Sequence, residues 1–401
     1  MDGHIKDLWH RGKGKDRVQT SRYGMGKRWQ VRWTDLAGNT KTKVFANQDE
    51  AKAFLQQVNV KKMRGSYIDP KAGNISLIEY AEGTWLPSRV GDEGTIISTK
   101  LHWRLHIKPY LGKYALVELR ATHIRPWLKQ LEDKGLSLTT QKLIRATLSS
   151  MLTSAVEDEL ITKNPLLMRS TKLDAIRRPR IEPIDTATVM AIYEQVEPRY
   201  AILVLLGAFL GLRQGEAFGL AVEDVDFLRG VVHVRQQVKH VHPVMIFAMP
   251  KFKKQRDIPL PDELALMISA YIKQFPPVPV TMPWERSDGE PRTFNLLVTS
   301  REKKALNRNY WNGATWRKAT VAVGLSAERK NGFHGLRHSY ASLFLGKGGS
   351  IRDLADYLGH SDPGFTLKVY THLMQENTER MRLVLGSAIG EAMATKMESH
   401  K

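Results

Sequence analysis

Cysteine is absent from all 401 residues, which excludes disulfides, thiolate metal sites and cysteine nucleophiles. Long apolar runs are absent too: the longest, AILVLLGAFLGL from Ala201, spans about twelve residues, short of the roughly twenty that cross a bilayer. The N-terminus, MDGHIKDLWHRGKGK, has no apolar signal core. These absences predict a soluble cytoplasmic protein with no membrane partner. There is no internal repeat, and no cluster of carboxylates suited to holding a metal. Acidic residues are scarce beside basic ones, 41 Asp and Glu against 61 Lys and Arg, for a net charge of +20. Such a balance favours a polyanionic partner, nucleic acid before an anionic membrane.

What is present falls into three blocks. Residues 1 to about 65 concentrate the charge, with 15 Lys and Arg against 7 Asp and Glu in positions 1–70. The segment HRGKGKDR is basic and Gly-rich, expected to be mobile until bound. RWQVRWTD, LAGNTKTKVF and ANQDEAKAFLQQV then predict strand, turn, strand and helix. Trp29, Val31 and Trp33 alternate as in a half-buried strand. Asn47 and Glu50 suit a helix cap, followed by an apolar stripe at Ala51, Phe54, Leu55 and Val58. Residues 74–168 predict an all-helical block whose basic residues, among them Lys100, Arg104, Lys108, Lys142 and Arg145, lie off the apolar stripes. A basic, Pro-interrupted linker over 169–180 leads into a mixed α and β block over 181–395.

The third block carries the chemistry. In NGFHGLRHSYASLFL, Asn331-Gly332 marks a turn and a helix follows from about His334. Leu336, Tyr340, Leu343 and Phe344 share one face; His334, Arg337, His338 and Ala341 share the other. A His–Arg pair on one turn offers N–H donors to an anion, although a solvated polar face would look the same. LLGAFLGLRQGEAFGL ends a wholly apolar helix on Arg213, which is costly to desolvate unless Glu216 pairs with it. VVHVRQQVKHV and FAMPKFKKQRDIPLP read as neighbouring strands with Lys251, Lys253, Lys254 and Arg256 about the turn. IRDLADYLGHSD is a helix closed by Gly359 with His360 just beyond, and Tyr370 follows in KVYTH.

Taken together, Arg213 with Glu216, a hairpin lysine, HGLRH, LGH and VYTH resemble the catalytic signature of the tyrosine recombinase (phage integrase) family. The resemblance covers the whole third block. It implies a multidomain fold: a small α+β DNA-binding domain, an all-α core-binding domain, and a mixed, mainly helical catalytic domain. It implies a site-specific recombinase that cleaves and rejoins DNA through a 3′-phosphotyrosine intermediate. The catalytic set carried over is Arg213, Lys251, His334, Arg337, His360 and Tyr370, with Glu216 supporting; Lys253 and Lys254 flank the lysine position. His334 and His360 are the implied hydrogen-bond donors or acceptors of the phenolic proton. Gly335 departs from the acidic residue many members have there. No cofactor or metal is implied. The first block resembles the arm-binding domain of lambda-type integrases, with Gln30, Arg32 and Lys41, on the strand face opposite the tryptophans, as contact candidates. Implied partners are double-stranded DNA bearing core-type and arm-type attachment sites, a homotetramer on DNA, a host DNA-bending factor and an excision directionality factor. The helical tail with Met381, Val384, Leu385 and Ala388 is expected to link protomers. Two other functions fit part of the pattern: a type IB topoisomerase-like relaxing enzyme, and a non-catalytic DNA-binding regulator.

Overall fold

The computed structural model divides into two units, residues 1–177 and 178–401. It describes residues 3–12, 14–35, 38–63, 72–175, 182–241, 243–360 and 363–370, with 386, 387 and 389. The stripe of Met381, Val384, Leu385 and Ala388 and linker positions 176–180 lie outside the described residues. Among the described residues, no helix is long and apolar enough to cross a membrane.

The first unit begins with β1 (Gly3–Asp7), β2 (His10–Arg11), β3 (Val18–Gln19), β4 (Trp29–Thr34) and β5 (Thr40–Phe45), followed by α1 (Gln48–Met63). The antiparallel order is β1–β4–β5. Alternation gives β4 one apolar face, on which Val31 and Trp33 are buried against Ala51 and Val58 of α1. Asn47 starts the helix, its side chain accepting the Asp49 N–H at 2.9 Å.

The described residues ahead of Trp29 supply β1, and within the segment HRGKGKDR, expected to be mobile until bound, His10 and Arg11 pair with Gln19 and Val18. Asp7 accepts from the Trp9 N–H at 3.0 Å, Arg17 at 2.8 Å and Arg28 at 2.9 Å. Hydrophobic periodicity gave little sign of β1, because Ile5 is its one large apolar residue on the core and pairing with β4 holds the rest. Lys41 is not on the face opposite the tryptophans. It stands directly across from Trp33, and cross-strand partners share a face; its ammonium lies 3.6 Å from Asp35. Gln30 and Arg32 do lie on the open face, beside Lys6 and His4 of β1 and Val44 and Thr42 of β5.

The rest of this unit is helical: α2 (Leu77–Tyr80), α3 (Glu93–His102), α4 (Lys108–Leu111), α5 (Ala121–Asp133) and α6 (Leu138–Glu157). Ser76, Asp92 and Ser137 cap three of them through their side chains, satisfying N–H groups that have no partner within the helix. Their core is a cluster separate from that of the sheet, built on Trp85, Trp103, Trp127, Leu148 and Met151. Lys100 and Arg104 are exposed and Lys142 half-buried. Arg145 is a further correction: its guanidinium turns inward, donating to the Thr171 carbonyl at 2.8 Å and to that of Leu166. A basic residue beside an apolar stripe can cap backbone carbonyls as readily as face DNA.

The second unit runs α7 (Thr186–Gln195), α8 (Pro198–Phe209), α9 (Gln214–Phe218), β6 (Val225–Asp226), β7 (Val231–Val234), β8 (Gln237–Val241), β9 (Val244–Ala248) and β10 (Arg256–Pro259). It continues with α10 (Asp262–Gln274), β11 (Val278–Pro283), β12 (Pro291–Leu296), α11 (Arg308–Trp311), α12 (Arg317–Ala322), α13 (His334–Gly346), α14 (Ile351–Leu358) and α15 (Pro363–Tyr370). Because α8 is apolar all round, it is buried all round, from Ala201 to Ala208. Helix α13 packs on it closely. A Cβ at Gly207 would sit 2.8 Å from Leu336 and 3.0 Å from Phe333, so only glycine permits the approach. The two expected neighbouring strands each split in two: β7 pairs with β10 and β8 with β9, both antiparallel.

Candidate active site

Three chain reversals aim the site. Gly211, with φ of +61°, ends α8 and presents its carbonyl to Arg337 Nη1 at 2.7 Å. Gly359, also at +61°, closes α14, and its carbonyl accepts from Arg213 Nη2 at 3.3 Å. The short turn Lys251–Lys253 sits between β9 and β10, with Phe252 at φ +65° and Lys253 at +56°.

Glu216 is the electrostatic centre. Its carboxylate is fully buried and accepts from the Arg213 N–H and from Arg213 Nη1, each at 2.8 Å. It also accepts Arg256 Nη1 at 3.1 Å and Nη2 at 2.7 Å. Burial alone pushes the carboxyl pKa up; Arg256, then Arg213 and Arg337, outweigh it and hold the group at about 2. The pair expected between Arg213 and Glu216 is therefore a triad, and Arg256 is its better-buried arm.

Arg337 is 1% exposed, so the helix face it shares with His334 is not a solvated one, and Leu343 on the supposed apolar face is exposed instead. The Arg337 guanidinium is fixed by carbonyls of Gly211 and Leu358 and by His360 Nε2 at 3.2 Å. Burial, reinforced by Arg213, lowers its pKa to about 9, which leaves it protonated at neutral pH. His360 Nδ1 lies 2.7 Å from the Thr366 hydroxyl. Burial and then Arg337 and Arg213 lower the His360 pKa to about 3. His334 is open to solvent at its edge, yet desolvation and then Arg337, Arg213 and Lys251 lower its pKa to about 4. Tyr370 is 2% exposed, packed with Tyr340, Leu354 and Leu358. Burial pushes its phenol up to about 12, against the pull of Arg337 and Arg213. Its hydroxyl lies 2.7 Å from His338 Nδ1.

So Arg213, Glu216, His334, Arg337, His360 and Tyr370 come together. Lys251 stands exposed on its turn, close enough for its charge to act on His334, with its ammonium 5.0 Å from the Phe252 ring. Lys254 donates to Asp356 at 3.1 Å and to the His360 carbonyl at 3.5 Å. A cavity of about 380 Å³ opens beside the cluster, lined by Arg213, Gln214, Lys239, His240, Arg308 and His334 among others. Thr366 went unnamed in the sequence reading, and Arg256 and His338 were placed on the turn and on the helix face without a role in the site. Arg256 had a usable signal, since it alternates with buried Ile258 and Leu260 and so had to point inward with them. His338 lies one turn from His334, but its contact with Tyr370 joins helices far apart in sequence.

Guanidinium forks held by buried partners, with neutral imidazoles and a tyrosine hydroxyl alongside, form a set suited to a charged phosphoryl group attacked by the phenol. Comparisons with known proteins agree with that chemistry. Residues 180–377 match the phage integrase family. The chain is 27% identical over 362 residues to the putative prophage phiRv2 integrase of Mycobacterium tuberculosis, covering 86% of this chain and 88% of that one. It is 27% identical over 315 residues to a XerC-like tyrosine recombinase of Caldanaerobacter subterraneus, covering 70% and 74%. In fold it is similar to the Tn1549 transposon integrase in complex with transposon right end DNA, with a TM-score of 0.64 at 20% identity over 78% of this chain and 100% of that one. A lambda integrase tetramer bound to a Holliday junction gives 0.55 at 19% identity, over 87% and 93%. Residues 180–377 belong to the phage integrase family, and this segment holds every side chain of the cluster.

Proposed function

We propose that this protein is a site-specific DNA recombinase, an integrase of a phage or mobile element, that cuts and rejoins DNA through a 3′-phosphotyrosine. The observation that carries the reading is the buried Arg213–Glu216–Arg256 triad next to Arg337 and Tyr370. Such a site would hold a phosphodiester with its non-bridging oxygens on the two forks of Arg213 and Arg337. The Tyr370 oxygen attacks phosphorus, the bond to the 5′ oxygen breaks, and Lys251 supplies that oxygen with a proton. The phosphotyrosine ester keeps the bond energy for rejoining.

Residues 1–65 would serve as a separate arm-type DNA-binding domain. Gln30 and Arg32, joined by His4 and Lys6 on the same open sheet face, are the candidate base and phosphate contacts. Lys100, Arg104 and Lys142 would contact the core site from the helical block, 74–168. The active form would be a homotetramer bridging two duplexes, working with a DNA-bending factor and a directionality factor.

Plasmids carrying one or two copies of the attachment site, taken from the DNA flanking the gene, test this. Recombinant products only when sites are paired support it. Relaxation without pairing would mark a topoisomerase; binding without any strand cleavage would mark a regulator.

A further inference from the structure

The phenolic proton of Tyr370 has to go somewhere, and two of the three histidines in the cluster are engaged elsewhere. His360 Nε2 faces Arg337 Nη2 at 3.2 Å. A guanidinium has only donors, so that nitrogen is the acceptor, and His360 Nδ1 carries the hydrogen toward the Thr366 hydroxyl. No lone pair is left on that ring for a phenol. His334 lines the cavity with Arg213, Lys239 and Arg308, where a phosphate oxygen would sit; it meets His338 edge-on, with ring centroids 4.7 Å apart. His338 is different. Its Nδ1 is 2.7 Å from the Tyr370 hydroxyl, and the two rings are 5.6 Å apart.

We propose that His338, rather than His334 or His360, is the base that takes the proton from Tyr370 during strand cleavage. The proposal rests on the recombinase reading above. As the Tyr370 oxygen bonds to phosphorus, its proton passes to His338 Nδ1. The phosphorus–O5′ bond breaks and Lys251 protonates the leaving oxygen, giving a free 5′-hydroxyl. In rejoining, an incoming 5′-hydroxyl returns a proton to Lys251 and attacks phosphorus. The tyrosine oxygen then leaves and recovers its proton from His338. Nothing else is consumed.

Burial, then His334 and Arg337, hold the His338 pKa at about 4, so its lone pair is available at neutral pH, and the negative charge of a bound phosphate raises the ring's basicity as the proton transfers. The charges of Arg337 and Arg213, from the turn before α9, act on Tyr370 and stabilise the negative charge developing on its oxygen. With the phenol raised to about 12, free phenolate is rare, and transfer is concerted with attack.

The test is single-turnover adduct formation by the full-length protein on a nicked core-site substrate, from about pH 6 to 9. Wild type, His338→Ala and His338→Gln are compared, each also with a ring-fluorinated, more acidic tyrosine at position 370. Both variants should bind the site normally and form adduct on the order of 10²-fold more slowly. Their rates should climb with pH more steeply than that of wild type, and fluorination should restore much of the loss in His338→Ala while changing wild type little. Variant rates within about threefold of wild type would overturn the proposal, as would a deficit equal at every pH and indifferent to fluorination, the mark of a packing role. A wild-type protein that forms no Tyr370-dependent adduct would instead remove the recombinase reading beneath it.

Discussion

Glu216→Gln is the substitution whose effect the geometry constrains most tightly. It preserves shape and removes the one negative charge between Arg213 and Arg256. The side chains of Glu216 and Arg256 are 0% and 4% exposed, so no water can replace the lost charge. The amide nitrogen of the new glutamine would also point a donor at a guanidinium, which has only donors. Two routes give the magnitude. Holding the carboxyl at about 2 rather than its ordinary 4.5 corresponds to about 3 kcal/mol of native-state stabilisation at neutral pH. Breaking a buried ion pair from one side costs about 3–5 kcal/mol. At roughly 2–4 °C per kcal/mol for a unit of this size, the unfolding midpoint of the second unit should drop by roughly 6–20 °C. The sign with pH follows: the folded value lies below the unfolded one, so this stabilisation is complete above about pH 4.5 and is lost as pH falls through about 2. Differential scanning calorimetry of the full chain reads the effect. Arg256→Met should cost more stability than Arg213→Met, because Arg256 makes the bidentate, better-buried contact. A Glu216→Gln midpoint within about one degree of wild type would refute the reasoning.

The remaining predictions concern separate parts of the chain. Arg145→Ala should destabilise the first unit by about 1–3 kcal/mol, since it removes the guanidinium donor to the Thr171 carbonyl and to that of Leu166, which keeps only the Thr171 hydroxyl at 3.0 Å; urea unfolding should show this, with the salt slope of DNA binding unchanged. Acidification should destabilise the second unit between pH 6.5 and about 4. His338 and His360 have folded pKa values of about 4 and about 3, below the unfolded 6.5, so the unfolded chain binds protons first and stability falls with pH at up to ~1.4 kcal/mol per histidine per unit; a flat urea midpoint over that range would contradict the burial described. Lys251→Ala should slow cleavage of ordinary DNA yet cleave a substrate with a sulfur at the 5′ bridging position at near wild-type rate, because a thiolate leaves without a proton. Rescue of Lys253→Ala or Lys254→Ala instead would move the role along the turn.

Much of the second unit could be read in the sequence because its signals are local. The apolar run of α8, the turn at Gly332 and the glycine closing α14 each mark a boundary by residue type alone, and the order of Arg213, His334, Arg337, His360 and Tyr370 carries a family pattern. What escaped the reading depends on contacts across long separations. The Arg256–Glu216 pair joins β10 to α9, and the His338–Tyr370 contact joins α13 to α15; strand alternation turns Arg256 inward, but local spacing names neither partner. At Lys41 the error was one of register: a strand's own alternation does not say which partner residue lies opposite, and pairing with Trp33 put the lysine on the tryptophan side. At Arg145 the charge was visible but the carbonyls it caps lie 21 and 26 positions away. The first strand left little trace because Ile5 is its one large apolar residue, and the β4 ladder and the contacts of Asp7 lie outside local spacing.

The central claim is that Tyr370 is the nucleophile on a phosphodiester held by Arg213 and Arg337. The most direct measurement is covalent trapping on a nicked core-site duplex whose short 5′ fragment diffuses away after cleavage, followed by protease digestion and mass mapping of the DNA-linked peptide. An adduct is expected on the peptide containing Tyr370, attached through a 3′ phosphate, and none with Tyr370→Phe, although that variant should bind the site as wild type does. A covalent adduct that persists in Tyr370→Phe, or one mapped to another residue, would contradict it.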